Sequence, residues 1–130
     1  MSAVLLLDST VLIAYERDVT RRAQAVVMEA ATDGRLLAAT AISLAGACSE
    51  LDTNTRELGW LVYDREALLS VLPLSLNAME IGSAAAGAKT LGDLETAAVV
   101  HEAKASSAVV LSYEPGRYRG QGIDVVDMRP

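Results

Sequence analysis

The sequence of 130 residues fits one domain, since a split would leave halves too small to bury stable cores. Its composition, 52% hydrophobic with no Phe, excludes a disordered chain and predicts a folded core of aliphatic side chains. The formal net charge of -6 argues against a passive nucleic-acid coat, because such binding depends on Lys and Arg that neutralise phosphates.

The apolar stretches of the sequence are short. The longest, residues 36–47, contains Thr40 and Ser43 and falls short of the roughly 20 residues that a membrane span requires. The opening MSAVLLLD has no basic segment of the kind that begins a secretory signal, so we expect a cytoplasmic protein. Cys48 is the single cysteine of the sequence, which agrees with a reducing compartment.

Strands and helices alternate along the predicted chain. Residues 4–7 form a continuous apolar run that ends at Asp8, which is typical of a strand buried on both faces of a parallel sheet. In chain order the further predictions are helices at 10–17 and 20–32, a strand at 36–39, helical residues 42–63 with a break near 52–55, a short helix capped by Asp64, an edge strand at 71–74, helices at 77–89 and 93–104, and strands at 108–111 and 123–126. This alternation predicts an α/β fold, a three-layer α/β/α sandwich with a mostly parallel central sheet.

Acidic residues lie at the predicted ends of buried strands. Asp8 directly follows the first strand, and Glu114 stands just past the strand at 108–111. Asp93 begins the helix that leads into that strand. In open parallel sheets ligands bind beyond the carboxyl ends of the strands, which makes these acids candidates for a site. Each also has a structural alternative, a helix cap for Asp8 and Asp93 and a solvated turn for Glu114.

Three clustered carboxylates would repel one another unless a cation compensates them. A hard divalent cation such as Mg²⁺ does so with oxygen ligands and bound waters. Metal ions held in this way activate water and stabilise the attacking and leaving oxygens in phosphodiester hydrolysis. The three acids together therefore predict a metal site suited to a nuclease.

Four segments in order resemble the motifs of the PIN-domain family, especially its small VapC-like toxins. They are LLLDSTVLIAYER, TAISLAGA, LGDLETAAVV and VVLSYEPGRY, followed by a closing strand at IDVVDM, and they span nearly the whole chain. The resemblance implies an endoribonuclease of toxin-antitoxin type that depends on Mg²⁺ or Mn²⁺. It marks Asp8, Asp93 and Glu114 as metal ligands and catalytic acids, with Ser112 as the catalytic hydroxyl of the fourth motif. It also implies RNA as substrate, a cognate antitoxin protein as partner, and a homodimer.

The sequence departs from the family pattern at two positions. Glu114 stands where the fourth motif usually has Asp, and Gly46 stands where the second motif has a Glu directly after SLA. Glu50, one helical turn after Gly46, either substitutes for the missing acid or is an ordinary surface residue.

Other functions remain open. The main alternative is a catalytically degenerate PIN domain that binds RNA or a protein, and Arg117 and Arg119 form a candidate phosphate-facing patch for such binding. A phosphoacceptor receiver domain is disfavoured. It needs more than one acid after the first strand and a late lysine, whereas only Asp8 follows the strand here and the last lysine is Lys104.

Overall fold

Strands and helices alternate through the residues that the computed structural model describes, which are 4–17, 21–64, 68–87 and 90–130. The strands are β1 (Leu5–Leu7), β2 (Leu37–Thr40), β3 (Leu69–Leu72), β4 (Val109–Ser112) and β5 (Asp124–Asp127). The helices are α1 (Ser9–Arg17), α2 (Arg22–Thr32), α3 (Ala41–Leu51), α4 (Arg56–Tyr63), α5 (Ala78–Ala84) and α6 (Leu91–Ser106), with a 3-10 helix at Pro115–Tyr118. None of these helices is long and apolar enough to cross a membrane.

The strands form one parallel sheet in the order β3-β2-β1-β4-β5. β1 lies at its centre, where Leu5 pairs with Leu37 of β2 on one side and with Val109 of β4 on the other. The chain builds outward from β1 through β2 to β3, then crosses to β4 and β5. The strand order therefore reverses between β1 and β4, and a crevice opens beyond the carboxyl ends of these two strands.

Both faces of the sheet are covered by helices, because the central strand is apolar on both sides. Leu5 and Leu7 pack with side chains of α1 to α4 on one face. Leu6 packs on the other face with Val99 of α6 and with Tyr118. The three-layer α/β fold predicted from the sequence is confirmed.

Most predicted elements lie within a few residues of their observed positions. The predicted break near 52–55 separates α3 from α4, and Asp52 there adopts a positive φ of 59° that ends α3. The predicted strand at 71–74 is the edge strand β3, which ends before Pro73. The helix predicted at 77–89 ends earlier, at Ala84. Parts of three predicted helices, including Thr20, residues 65–67 and Lys89, lie outside the described residues.

α4 receives its N-terminal cap from another helix. Thr55, the residue before α4, makes no side-chain capping bond. Glu16 of α1 takes this role, because its carboxylate accepts hydrogen bonds from the backbone N–H groups of Glu57 at 3.1 Å and Leu58 at 3.0 Å. These N–H groups belong to the first turn of α4 and have no partner within the helix. The contact thus fixes α4 against α1.

Glu16→Ala should lower the free energy of unfolding by about 1–2 kcal/mol, the usual cost of losing a helix cap. Urea denaturation measures this change. Glu29→Ala removes the same atoms from an exposed position of α2 and is the matched control. Equal stability of the two variants would show that the cross-helix cap contributes nothing.

Candidate functional site

Asp8 lies at the carboxyl end of β1, fully buried in the crevice between β1 and β4. One oxygen, Oδ1, accepts hydrogen bonds from the Thr10 hydroxyl at 2.5 Å and from the Thr10 and Val11 backbone N–H groups. The other oxygen, Oδ2, accepts the Tyr118 hydroxyl at 2.7 Å. Both oxygens are therefore occupied by donors of the protein itself.

Burial is the main cause of the pKa shifts of both Asp8 and Tyr118. Loss of water raises the pKa of Asp8, against the hydrogen bonds from Ser112, Thr10 and Tyr118 that stabilise its charged form. The negative charge of Glu95 raises that pKa further. The pKa of Tyr118 is also raised, first by burial and then by the charge of Asp8, so its hydroxyl remains a donor.

A second buried carboxylate, Glu95 of α6, was not among the acids singled out from the sequence. Its Oε2 accepts the Ser9 backbone N–H at 2.8 Å and the Ser43 hydroxyl at 2.7 Å. Its Oε1 accepts the Ser9 hydroxyl at 2.7 Å and Arg117 Nη1 at 2.9 Å. Four donors satisfy a carboxylate, whose two oxygens offer about four lone-pair sites.

Arg117, in the 3-10 helix, bonds both Glu95 and Glu114. Its Nη1 bonds Glu95, and its Nε donates to Glu114 Oε2 at 2.7 Å. Burial by itself lowers the pKa of Arg117, but the charges of Glu114 and Glu95 outweigh it and leave the pKa raised. The guanidinium of Arg117 is thus bound to carboxylates. It does not face outward as part of the phosphate-binding patch that the sequence suggested for Arg117 and Arg119.

The predicted site residues have different surroundings. Asp8 and Ser112 meet at Thr10, whose hydroxyl bonds Asp8 and lies 3.5 Å from Ser112 Oγ. Glu114 is largely exposed and contacts Arg117. Asp93 lies exposed in the first turn of α6, where its backbone N–H donates to Thr90 and its carboxylate accepts the Thr90 hydroxyl. Thr90 is thus the N-cap residue of α6, and Asp93 bonds back to it from the first turn without being the cap itself.

The buried face of α6 explains why Glu95 was missed. Glu95, Val99 and Ala103 are buried and lie four residues apart along one helical face. The sequence LGDLETAAVV has small apolar residues on several sides, so periodicity alone does not fix this face. The signal that the sequence does carry is the spacing of four residues from Glu95 to Val99 and from Val99 to Ala103, which puts two apolar residues on its helical face.

An open cavity of about 590 Å³ lies beside Glu95, Glu114 and Arg117, and Gly46 lines it. A Cβ atom at Gly46 would meet nothing within 4 Å, so the missing acid of the second motif leaves open space. Glu50 also lines the cavity, but its side chain is 61% exposed and lies 3.8 Å from Arg17. Glu50 is thus exposed as an ordinary surface acid is, and its substitution for the missing acid stays a prediction.

This arrangement does not fit the divalent cation that the resemblance implies. Mg²⁺ requires near-octahedral oxygen ligands at about 2.0–2.1 Å, whereas the oxygens of Asp8 and Glu95 accept protein donors. Within the described parts of the chain, no group of three or more His, Cys, Asp or Glu residues is arranged to hold a metal ion. Asp8, Asp93 and Glu114 are not gathered into such a group here, and their role as metal ligands stays a prediction.

The chain is similar to known proteins in its fold but not in its sequence. No protein-family model matches the chain, and no curated protein matches it significantly. VapBC2 from Rickettsia felis, solved bound to a DNA fragment from its promoter, matches with a TM-score of 0.68 at 12% identity, over 95% of this chain and 97% of that chain.

Two further solved structures match over nearly their whole length. FitAcB from Neisseria gonorrhoeae has a TM-score of 0.61 at 18% identity, over 95% of this chain and 97% of that chain. FitAB bound to an IR36 DNA fragment has a TM-score of 0.59 at 16% identity, over 97% of this chain and 96% of that chain. At these identities the likeness shows a shared PIN-like α/β fold and nothing finer.

Asp8→Asn tests the protonation of the buried acid. Because the pKa of Asp8 is raised in the folded chain, its contribution to the free energy of unfolding is fully present below the ordinary value of 3.8 and is lost as pH rises through the raised pKa. We therefore expect the stability of the wild type relative to Asp8→Asn to fall as the pH rises above about 4 and through the raised pKa, measured by urea denaturation.

Asp127→Asn is the control for this series. The hydrogen bond from Arg129 lowers the pKa of exposed Asp127 to about 2, so its contribution is lost only in more acidic solution. Its stability relative to the wild type should stay constant across the same pH range. A similarly constant difference for Asp8→Asn would contradict the raised pKa.

Proposed function

We propose that this chain is a toxin-like protein of a toxin-antitoxin pair whose acidic site is closed, so that it acts by binding a partner protein rather than by cutting RNA. One observation carries the proposal. Every oxygen of the two buried carboxylates of the site, Asp8 and Glu95, accepts a hydrogen bond from the protein itself.

Metal-dependent hydrolysis of RNA needs carboxylate oxygens that are free to hold an ion and its waters. Asp8 and Glu95 instead hold hydroxyl, amide and guanidinium groups. Gly46 supplies no side chain where the resemblance expects an acid, and Glu50 faces Arg17. These features support a catalytically degenerate PIN-like domain.

A second candidate is the Mg²⁺- or Mn²⁺-dependent endoribonuclease that the resemblance implies. Two observations support it. Asp8, Ser112 and Glu114 lie at the carboxyl ends of the neighbouring strands β1 and β4, and an open cavity adjoins Glu95 and Glu114. In this candidate function Asp8, Asp93 and Glu114 would hold the metal, and Arg117 would have to leave Glu114 for the ion to bind there. RNA is its substrate.

An RNA cleavage assay separates the two functions. Purified chain incubated with RNA and Mg²⁺ or Mn²⁺ should cleave no faster than Asp8→Asn, because the oxygens of Asp8 and Glu95 already accept hydrogen bonds from the protein. Asp127→Asn, a surface change of the same type, controls for nuclease carried through purification. Metal-dependent cleavage by the wild type and Asp127→Asn that is lost in Asp8→Asn would establish the ribonuclease instead.

A cognate antitoxin is the proposed protein partner. The three solved structures named above are toxin-antitoxin complexes, two of them bound to DNA. Trp60 and Tyr63 lie one turn apart on α4 with 57% and 87% of their surface exposed, and exposed aromatic residues are enriched at protein interfaces. They support α4 as part of the contact surface. The homodimer implied by the resemblance stays a prediction that light scattering can test.

Trp60→Ala should weaken binding to the antitoxin encoded beside this chain by about tenfold or more, the usual effect of removing a central aromatic contact. Co-purification followed by calorimetry with the isolated partner measures the change. Met79→Ala, an exposed apolar position on α5, is the control because α5 packs on α6, across the sheet from α4. Equal loss of affinity in both variants would argue against α4 as the binding surface.

A further inference from the structure

Arg117 occupies a central position among acids that come from distant segments. Glu95 Oε1 lies 2.9 Å from its Nη1, and Glu114 Oε2 lies 2.7 Å from its Nε. Two nitrogens of one guanidinium thus bridge carboxylates of α6 and of the loop after β4. A planar guanidinium can do this because its donors point in several fixed directions.

The acids on both sides of Arg117 differ in their need for a positive charge. The Glu95 side chain is only 7% exposed, so water contributes little to its stability as an anion. The Glu114 side chain is 58% exposed and remains hydrated. Among the described residues, Arg117 is the cation that forms an ion pair with Glu95. A buried carboxylate without such a partner would be strongly unfavourable.

We infer that Arg117 is the resident cation of this site, neutralising Glu95 and Glu114 and thereby excluding a divalent metal ion from them. The inference deepens the proposed function and rests on the closed acidic site described there. A divalent ion would have to displace the guanidinium from both carboxylates. The position between the Glu95 and Glu114 carboxylates is thus taken by a side chain of the protein.

Titration with Mn²⁺ in the absence of RNA tests this assignment, because electron paramagnetic resonance measures free Mn²⁺ directly. Arg117→Gln removes the charge and leaves Glu95 and Glu114 facing each other across the vacated position. We expect this variant to bind Mn²⁺ about tenfold or more tightly than the wild type. Thermal denaturation should agree, with added Mn²⁺ raising the melting temperature of Arg117→Gln more than that of the wild type.

Two further variants serve as controls. Arg119→Gln removes an equal charge two residues away, from an exposed position, and should bind Mn²⁺ as the wild type does. The double variant with Arg117→Gln and Glu95→Gln should lose the gained affinity, which assigns the ion to Glu95. Should Arg117→Gln fail to fold by circular dichroism, Arg117→Met replaces it, because methionine also removes the charge and keeps a flexible unbranched side chain.

Equal Mn²⁺ affinity of the wild type and the Arg117 variant, whether both bind or neither does, would overturn the assignment. A gain of affinity that Arg119→Gln reproduces would overturn it as well, since net charge alone would then explain the effect. These outcomes are separate from those of the RNA cleavage assay. Cleavage by the wild type contradicts the proposed function, whereas equal Mn²⁺ affinity contradicts the role of Arg117 and leaves the binding function untouched.

Discussion

A carboxylate removed from water must regain both hydrogen bonds and positive charge, and at Glu95 this requirement draws separate segments of the chain together. Ser9 begins α1, Ser43 lies in the first turn of α3, and Arg117 belongs to the 3-10 helix after β4. Ser43 is itself held by the Thr40 hydroxyl at the end of β2. Removing one partner of a buried ion pair commonly costs about 3–5 kcal/mol. The packing of α6 against the face of the sheet therefore depends on these donors being in place.

The position of Asp8 follows from the same parallel sheet. β1 is buried on both faces, so the chain leaves it directly into the crevice between β1 and β4. In many α/β proteins this crevice holds a ligand. Here Thr10, Val11 and Tyr118 take up the carboxylate oxygens, which turns a position suited to ligand binding into a part of the core. The difference lies in the donors around the acid, not in the fold.

The sequence was sufficient to predict the parallel sheet and the position of Asp8 at the end of β1. Continuous apolar runs such as LLL mark buried strands, and the first polar residue after each run marks where the strand ends. The sequence was not sufficient to predict Glu95, since the small residues of α6 allow more than one buried face. Arg117 could not be placed either. Its contact with Glu95 spans 22 residues and depends on how the 3-10 helix packs against α6. Four residues of 3-10 helix show no periodicity that a sequence pattern can reveal.

Arg117 and Tyr118 are neighbours in the chain, yet they serve different acids. Arg117 contacts Glu95 and Glu114, while Tyr118 donates to Asp8. Because both side chains leave the same short turn, displacing that turn breaks their contacts together. Such a displacement would remove one donor from each buried acid of the site, while Thr10 and Val11 would still bond Asp8 Oδ1 and Ser9 and Ser43 would still bond Glu95.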